Sequence, residues 1–130
     1  MLPIRTMNNN GSIGHLRFIL GHSMRIGLLL FPECMPAGLL AFADLLHAAN
    51  RRSASALFEI RYVAEQAGPV QCAHGLVLQA HSNLDPRALD ALLIPGFWAE
   101  SAEQVDTLLT RNATLIKALS AAGKRIQLWS

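Results

Sequence analysis

The sequence predicts an α/β fold in which an open, mostly parallel sheet carries helices on both faces. Two continuously apolar runs, Ile26–Phe31 and Ala91–Ile94, are typical of strands that are buried on both sides. Each run is followed by a segment with helical periodicity, which is the order expected of strand–helix–strand units. The chain has 130 residues, 52% hydrophobic and 15% charged, which suits one domain with a substantial core.

The first strand and its helix are the best-defined unit. The strand over Ile26–Phe31 should stop at Pro32, because proline has no N–H for a ladder. Pro36 is well placed to open a helix, and an apolar stripe follows at helical spacing: Leu39, Leu40, Ala43 and Leu46. Because open parallel sheets bind ligands outside the carboxyl ends of their strands, the loop Phe31–Pro36 is expected to line a site.

The middle of the chain predicts a second strand and a hairpin. Alternation over Leu57–Ala64 indicates a strand with one wetter face, near the sheet edge. The segments Val70–Cys72 and Leu76–Gln79 flank a short turn and form the predicted hairpin. Within it, Cys72 and His74 are expected at the surface or in an interface.

The last third of the chain repeats the strand–helix pattern. The strand Ala91–Ile94 ends at Pro95-Gly96, which predicts a second crevice loop. Ser101–Gln104 matches a capping box, and Asn112 is positioned to cap a further helix. A third buried strand is predicted over Arg125–Trp129. This order of elements is that of a flavodoxin-like sheet with right-handed crossovers.

Several classes of function lack their signatures. The sequence contains neither G-x-G-x-x-G nor G-x-x-x-x-G-K-[ST], so dinucleotide and P-loop fingerprints are absent. Its five histidines and two cysteines have no metal-ligand spacing, and the formal net charge of +2 is too small to indicate nucleic-acid binding. We expect no cofactor, no metal and no membrane span, and the cysteine usage favours the cytoplasm.

The two ends of the chain differ from the middle. Residues Met1–Ser23 include the polar run Asn8–Ser12 and show no organised pattern, so we expect a loose amino-terminal extension with Met24 as the natural start. The domain is then residues 24–130. Ser130 follows a predicted core strand directly, without a helix to cover that strand. The expectation is a domain that is incomplete at its carboxyl terminus.

A family resemblance rests on five ordered segments: MRIGLLLFPE, GLLAFADLLHAAN, VQCAHGLVLQAHSNLD, LDALLIPGFW and AAGKRIQLWS. Together they resemble the PfpI-type, class I glutamine amidotransferase-like domain, and most closely the amino-terminal domain of GlxA-type AraC-family transcription regulators. The resemblance covers Met24 to Ser130. It implies a homodimer in the full-length protein, a small-molecule metabolite as ligand, and DNA contact only through a carboxyl-terminal helix-turn-helix region that this sequence lacks.

The resemblance also bears on catalysis. The superfamily's nucleophile follows the strand equivalent to Arg125–Trp129, and its partner histidine comes later, so neither is present in a sequence that ends at Ser130. The family's acid in the first crevice loop aligns with Gly38. The family's Pro-Gly-Gly appears as Pro95-Gly96, with Phe97 as a departure. The resemblance therefore implies a non-catalytic, ligand-sensing or dimerising regulatory domain. The alternative is a fragment of a PfpI-superfamily hydrolase, lyase or amidotransferase without its nucleophile elbow.

The candidate ligand-binding residues lie in the two crevice loops: Glu33, Cys34, Gly38, Pro95, Gly96, Phe97 and Trp98. Each has a plainer alternative. Cys34 is either a thiol acidified near a helix amino terminus or a small buried residue, and Glu33 either binds a ligand or is a solvated loop acid. Gly96 offers backbone N–H groups or is a glycine that the turn requires for steric reasons. Phe97 and Trp98 line a pocket or pack against a helix.

Overall fold

The structure is a computed structural model that describes residues 22–130. The predicted extension, Met1–Ser23, lies outside the described residues except for its last two positions. The described strands are β1 (Met24–Leu29), β2 (Phe58–Ala64), β3 (Gly68–Gln71), β4 (Val77–Ala80), β5 (Ser82–Asn83), β6 (Ala91–Leu93) and β7 (Gln127–Trp129). The helices are α1 (Pro36–Arg52), α2 (Ala102–Arg111) and α3 (Ala113–Ala122). None of these helices is long and apolar enough to cross a membrane.

The main sheet of residues 22–130 has five strands in the order β5-β2-β1-β6-β7, and every neighbouring pair is parallel. β1 is central: it pairs with β2 from Met24↔Phe58 to Leu29↔Val63, and with β6 from Ile26↔Ala91 to Leu28↔Leu93. The chain leaves β1 toward β2 on one side and later crosses to β6 on the other. The predicted open parallel α/β sheet is confirmed, with its topological switch point between β1 and β6.

Helices cover both faces of this sheet, as predicted. Alternate residues of a strand point to opposite faces, and the core accordingly divides in two. On one face, Ile26 and Leu28 pack with residues of α1 and of the β3–β4 hairpin: Leu39, Ala43, Leu46, Val70, Cys72 and Ala80. On the other face, Leu29 and Leu92 pack with Leu115 and Ala122 of α3.

Element ends differ from the sequence-based predictions in informative ways. β1 ends at Leu29, because the chain turns at Pro32 and the Cys34 N–H donates to the Phe31 carbonyl (3.0 Å). Ser101 caps α2 as predicted, accepting from the Gln104 N–H (3.1 Å). Asn112 does not cap α3 with its side chain; instead its Nδ2 donates to the Leu108 carbonyl (2.9 Å) and closes the end of α2.

The amino-terminal end of the sheet is held by two polar side chains. The Asp90 carboxylate, with its side chain 0% exposed, accepts from the Arg25 N–H (2.8 Å) and forms an ion pair with the Arg25 guanidinium (3.1 Å). The Asn50 side chain, at the end of α1, accepts from the N–H groups of Leu57 and Phe58 (2.9 Å each) and donates to the Phe58 carbonyl (2.8 Å). These contacts fix where β1, β2 and β6 begin.

Candidate functional site

The two crevice loops meet at the carboxyl ends of β1 and β6. The Met35 N–H donates to the Gly96 carbonyl (2.8 Å), and the Trp98 N–H donates to the Glu33 carbonyl (2.9 Å). Cys34 and Phe97 form an antiparallel bridge between these two bonds. We call residues 31–36 and 94–98 the loop junction. It brings most of the predicted site residues together at the switch point, where open sheets bind ligands.

The β3–β4 hairpin is a third part of this site that sequence reasoning missed. The Glu33 N–H donates to the Gln71 carbonyl (3.1 Å), and the Ala73 N–H donates to the Cys34 carbonyl (2.9 Å). The Sγ atoms of Cys34 and Cys72 are 3.4 Å apart. The sequence signals a hairpin here, but a contact across 38 positions leaves no local pattern.

Two residues at this site have strained backbones. Among the described residues, Glu33 (φ 67°) and His74 (φ 63°) are the non-glycine positions with positive φ. Left-handed backbone is disfavoured for side chains with a Cβ, and such strain concentrates at functional sites. The His74 and Trp98 rings are in contact, with centroids 5.0 Å apart. Both strained residues therefore contact Trp98, His74 through its ring and Glu33 through its backbone carbonyl.

The candidate residues differ sharply in exposure. Trp98 is 43% exposed, Gly96 is exposed, and Glu33, Pro95 and Phe97 are half-buried. Gly38 lies in the first turn of α1, exposed, and a Cβ built on it would contact nothing within 4 Å. Gly96 and Trp98 are therefore the candidates of the loop junction that a ligand can reach most directly, and Glu33 is the half-buried acid beside them.

Cys34 is fully buried at 0% exposure, as the plainer alternative for this residue expects. The prediction that Cys72 lies at the surface or in an interface is wrong, because it is 1% exposed and belongs to the core of this chain. Burial raises the pKa of the Cys72 thiol to about 12, and the hydrogen bond with Cys34 and the nearby Glu33 charge add to the effect. At neutral pH the Cys72 thiol is thus protonated and a poor nucleophile.

Gly96 is not a glycine that sterics require. A Cβ at this position would meet only the Met35 Sδ, at an ordinary 3.9 Å, and Gly96 is not among the glycines with positive φ. Its carbonyl binds Met35, whereas its N–H has no hydrogen-bond partner within residues 22–130. The Gly96 N–H is therefore a donor that a ligand can use.

A small cavity lies beside the loop junction, at the carboxyl ends of β1 and β2. Its volume is about 180 Å³, and its lining includes Phe31, Glu65, Val70, Asn112 and Leu115. Neither Gly96 nor Trp98 contributes to it. Among the described residues, no group of three or more metal-ligating side chains comes together.

Comparison with known proteins adds context to this geometry. No family model matches the chain, and no curated protein matches its sequence. Among solved structures, an AraC family transcriptional regulator from Pseudomonas putida is 25% identical, with a TM-score of 0.50 over 70% of this chain and 59% of its own. A candidate transcriptional regulator protein from Vibrio parahaemolyticus is 17% identical, with a TM-score of 0.54 over 82% of this chain and 56% of its own.

A DJ-1 superfamily protein from Agrobacterium tumefaciens is 26% identical over 68% of this chain and 50% of its own, but its TM-score of 0.39 is too low to support an argument. The chain thus spans between 50% and 59% of the length of these structures. The two regulator structures share the α/β fold with this chain, and the 25% identical AraC family regulator makes the chain similar to a regulator domain. The likeness to this structure confirms the AraC-family part of the resemblance predicted from the sequence.

Proposed function

We propose that residues 24–130 form a non-catalytic regulatory domain that senses a small molecule at the loop junction. The observation that carries this proposal is the convergence, at the switch point of the sheet, of an acid with a strained backbone, a backbone N–H without a partner among residues 22–130, and an exposed indole: Glu33, Gly96 and Trp98. The likeness to an AraC family regulator supports a role in transcription regulation.

The chemistry of these groups favours a small amide- or amine-bearing metabolite. A carboxylate such as that of Glu33 accepts hydrogen bonds from ligand N–H groups. The Gly96 N–H can donate to a carbonyl, and the face of Trp98 suits an apolar body or a cationic amine. An amide satisfies the acceptor and the donor together, while an amine uses the acid and the indole.

The same geometry offers a route for a signal. Within the loop junction, the backbone of the loop after β1 is bonded both to the loop after β6 and to the β3–β4 hairpin. A ligand that shifts the loop junction therefore also shifts the hairpin. In a longer protein of the kind this chain resembles, that shift would reach a DNA-binding region and a dimer partner. We place such a protein in the cytoplasm.

The absence of catalysis is part of the proposal and is supported by one observation. Cys34, the thiol within the loop junction, is fully buried and its Sγ lies 3.4 Å from that of Cys72, so a substrate cannot reach its sulfur in this conformation. Amidase, peptidase or glyoxalase turnover that disappears in Cys34→Ala would contradict the proposal and favour the enzyme alternative.

A thermal-shift titration with propanamide, propylamine and propanoate tests the ligand class. These compounds share a carbon skeleton and differ in the group that Glu33 and Gly96 would bind. We expect the amide or the amine, but not the carboxylate, to raise the melting temperature with saturation, because a ligand of the native state stabilises by mass action. Trp98→Ala should abolish the rise.

Leu45→Ala is the matched control, since Leu45 is another exposed large hydrophobic residue but lies on α1. It should leave the ligand response unchanged. A rise that persists in Trp98→Ala, or the lack of any rise with the amide and amine in the unmodified chain, would exclude the loop junction as the site for this class of ligand.

A further inference from the structure

We propose that Cys34 and Cys72 form an oxidation site, and that their disulfide covalently links the loop after β1 to the β3–β4 hairpin. This inference does not depend on the proposed ligand, because it concerns a buried contact between the loop junction and the hairpin. It assigns a modification to the two cysteines of the sequence, neither of which has a role in the proposed ligand binding.

The geometry needs little change to form this bond. The two sulfur atoms are 3.4 Å apart, and a disulfide requires about 2.05 Å. The backbones that carry them are already held together, because the Glu33 N–H binds the Gln71 carbonyl (3.1 Å) and the Ala73 N–H binds the Cys34 carbonyl (2.9 Å). Closing the remaining gap is a movement of side chains and not of strands.

Access, rather than geometry, controls the reaction. Cys34 and Cys72 are 0% and 1% exposed, and the Cys72 thiol also contacts the Val70 carbonyl (3.7 Å). An oxidant therefore meets these sulfurs only after the hairpin has lifted from the loop. A two-stranded hairpin is marginally stable without its packing, so this local opening is an accessible event. The rate of oxidation then reports how often the hairpin opens.

The chemistry balances with hydrogen peroxide as the oxidant. In the open state one thiolate attacks peroxide, its sulfur gains one oxygen as a sulfenic acid, and the O–O bond breaks with release of water after protonation. The second thiol attacks this sulfur, the S–S bond forms, the S–O bond breaks and a second water leaves. In total, two thiols and one peroxide give one disulfide and two waters.

The test uses the full chain, reduced and then exposed to peroxide. Since the sequence has two cysteines, any disulfide within one chain joins Cys34 to Cys72. We expect a monomer that has lost the mass of two hydrogen atoms and melts roughly 10 °C higher, because the closed loop restricts the unfolded chain. Dithiothreitol should reverse both changes. Cys34→Ser and Cys72→Ser, as matched controls, should show neither.

A second measurement tests the gating and needs no variant. Oxidation in the folded state should be at least about tenfold slower than in urea, where both thiols are exposed. Disulfide-linked dimers, sulfinic acid as the main product, or no disulfide in the folded chain even after prolonged exposure to peroxide would overturn the proposal. Equal rates in both states would overturn the gating by the hairpin.

Discussion

The two ends of the parallel sheet are held together in different ways. At the amino end, side chains make the contacts: buried Asp90 binds Arg25 across β6 and β1, and Asn50 binds the start of β2. At the carboxyl end, backbone groups of the β1 loop, the β6 loop and the hairpin bind one another, as in the Trp98 N–H to Glu33 carbonyl bond (2.9 Å).

This difference predicts that side chains at the amino end contribute mainly to stability, whereas side chains at the carboxyl end are available for the proposed recognition of a ligand. Where side chains hold the fold, a substitution removes the contact and leaves buried polar groups without partners. Where backbone hydrogen bonds hold the fold, the side chains are not needed for these contacts, so they can be substituted without loss of the architecture. A recognition site is therefore expected at the carboxyl end, where Trp98 and Glu33 are available.

The largest effect should come from Asp90 at the amino end. Asp90→Ala removes the partner of the Arg25 guanidinium and of the Arg25 N–H, so the free energy of unfolding should fall by about 3–5 kcal/mol. Urea unfolding measures this change. Asp85→Ala is the matched control, because the Asp85–Arg87 pair (3.2 Å) is exposed. Equal losses in the two variants would refute the proposed importance of the buried pair.

A smaller loss is expected at the second amino-end contact. Asn50→Ala removes three hydrogen bonds that connect α1 to β2, and we expect a loss of about 2 kcal/mol. Asn112→Ala removes one bond, to the Leu108 carbonyl, and should lose about half as much. If Asn112→Ala lowers the free energy of unfolding more than Asn50→Ala in the same urea measurement, the idea that side chains hold mainly the amino end of the sheet is contradicted.

At the carboxyl end, the stability of the chain should depend on pH through the Cys72 thiol. The pKa of the Cys72 thiol is raised from 9.0 to about 12 in the folded chain, so the unfolded chain loses this proton first as the pH rises. The free energy of unfolding is therefore unaffected by the ionisation of this thiol below the unfolded pKa and falls as the pH rises above it. Between about pH 8 and about pH 10.5, the unmodified chain should lose more stability than Cys72→Ala. Parallel pH profiles would contradict this assignment.

The smallest effects should distinguish two glycines near the site. Gly96→Ala places its Cβ 3.9 Å from the Met35 Sδ and should change stability by less than about 0.5 kcal/mol. Gly75→Ala forces a side chain into φ +76° and should lose about 1 kcal/mol. Thermal unfolding compares them. A larger loss at Gly96 would restore the steric interpretation of that residue.

Local patterns in the sequence predicted every labelled strand and helix except β5, and they also predicted that the two loops meet. The apolar run of β1, the alternation of β2 and the Ser101 cap each depend on residues close in the chain, so period and residue type reveal them. The position of the loop Pro95–Trp98 beside Glu33 followed from a general rule of parallel sheets, which applies whatever the side chains are.

The tertiary structure alone decided the contacts between distant positions. Nothing near Cys72 in the sequence indicates that it meets Cys34, and nothing near Asp90 indicates that it is buried against Arg25, 65 positions away. The two-residue strand β5 is too short to carry a periodic pattern. The positive φ of Glu33 is imposed by hydrogen bonds to Gln71 and Trp98, which a local propensity cannot include. Sequence periodicity therefore determined which segments are strands and helices, whereas long-range packing determined which residues are buried, strained or left exposed.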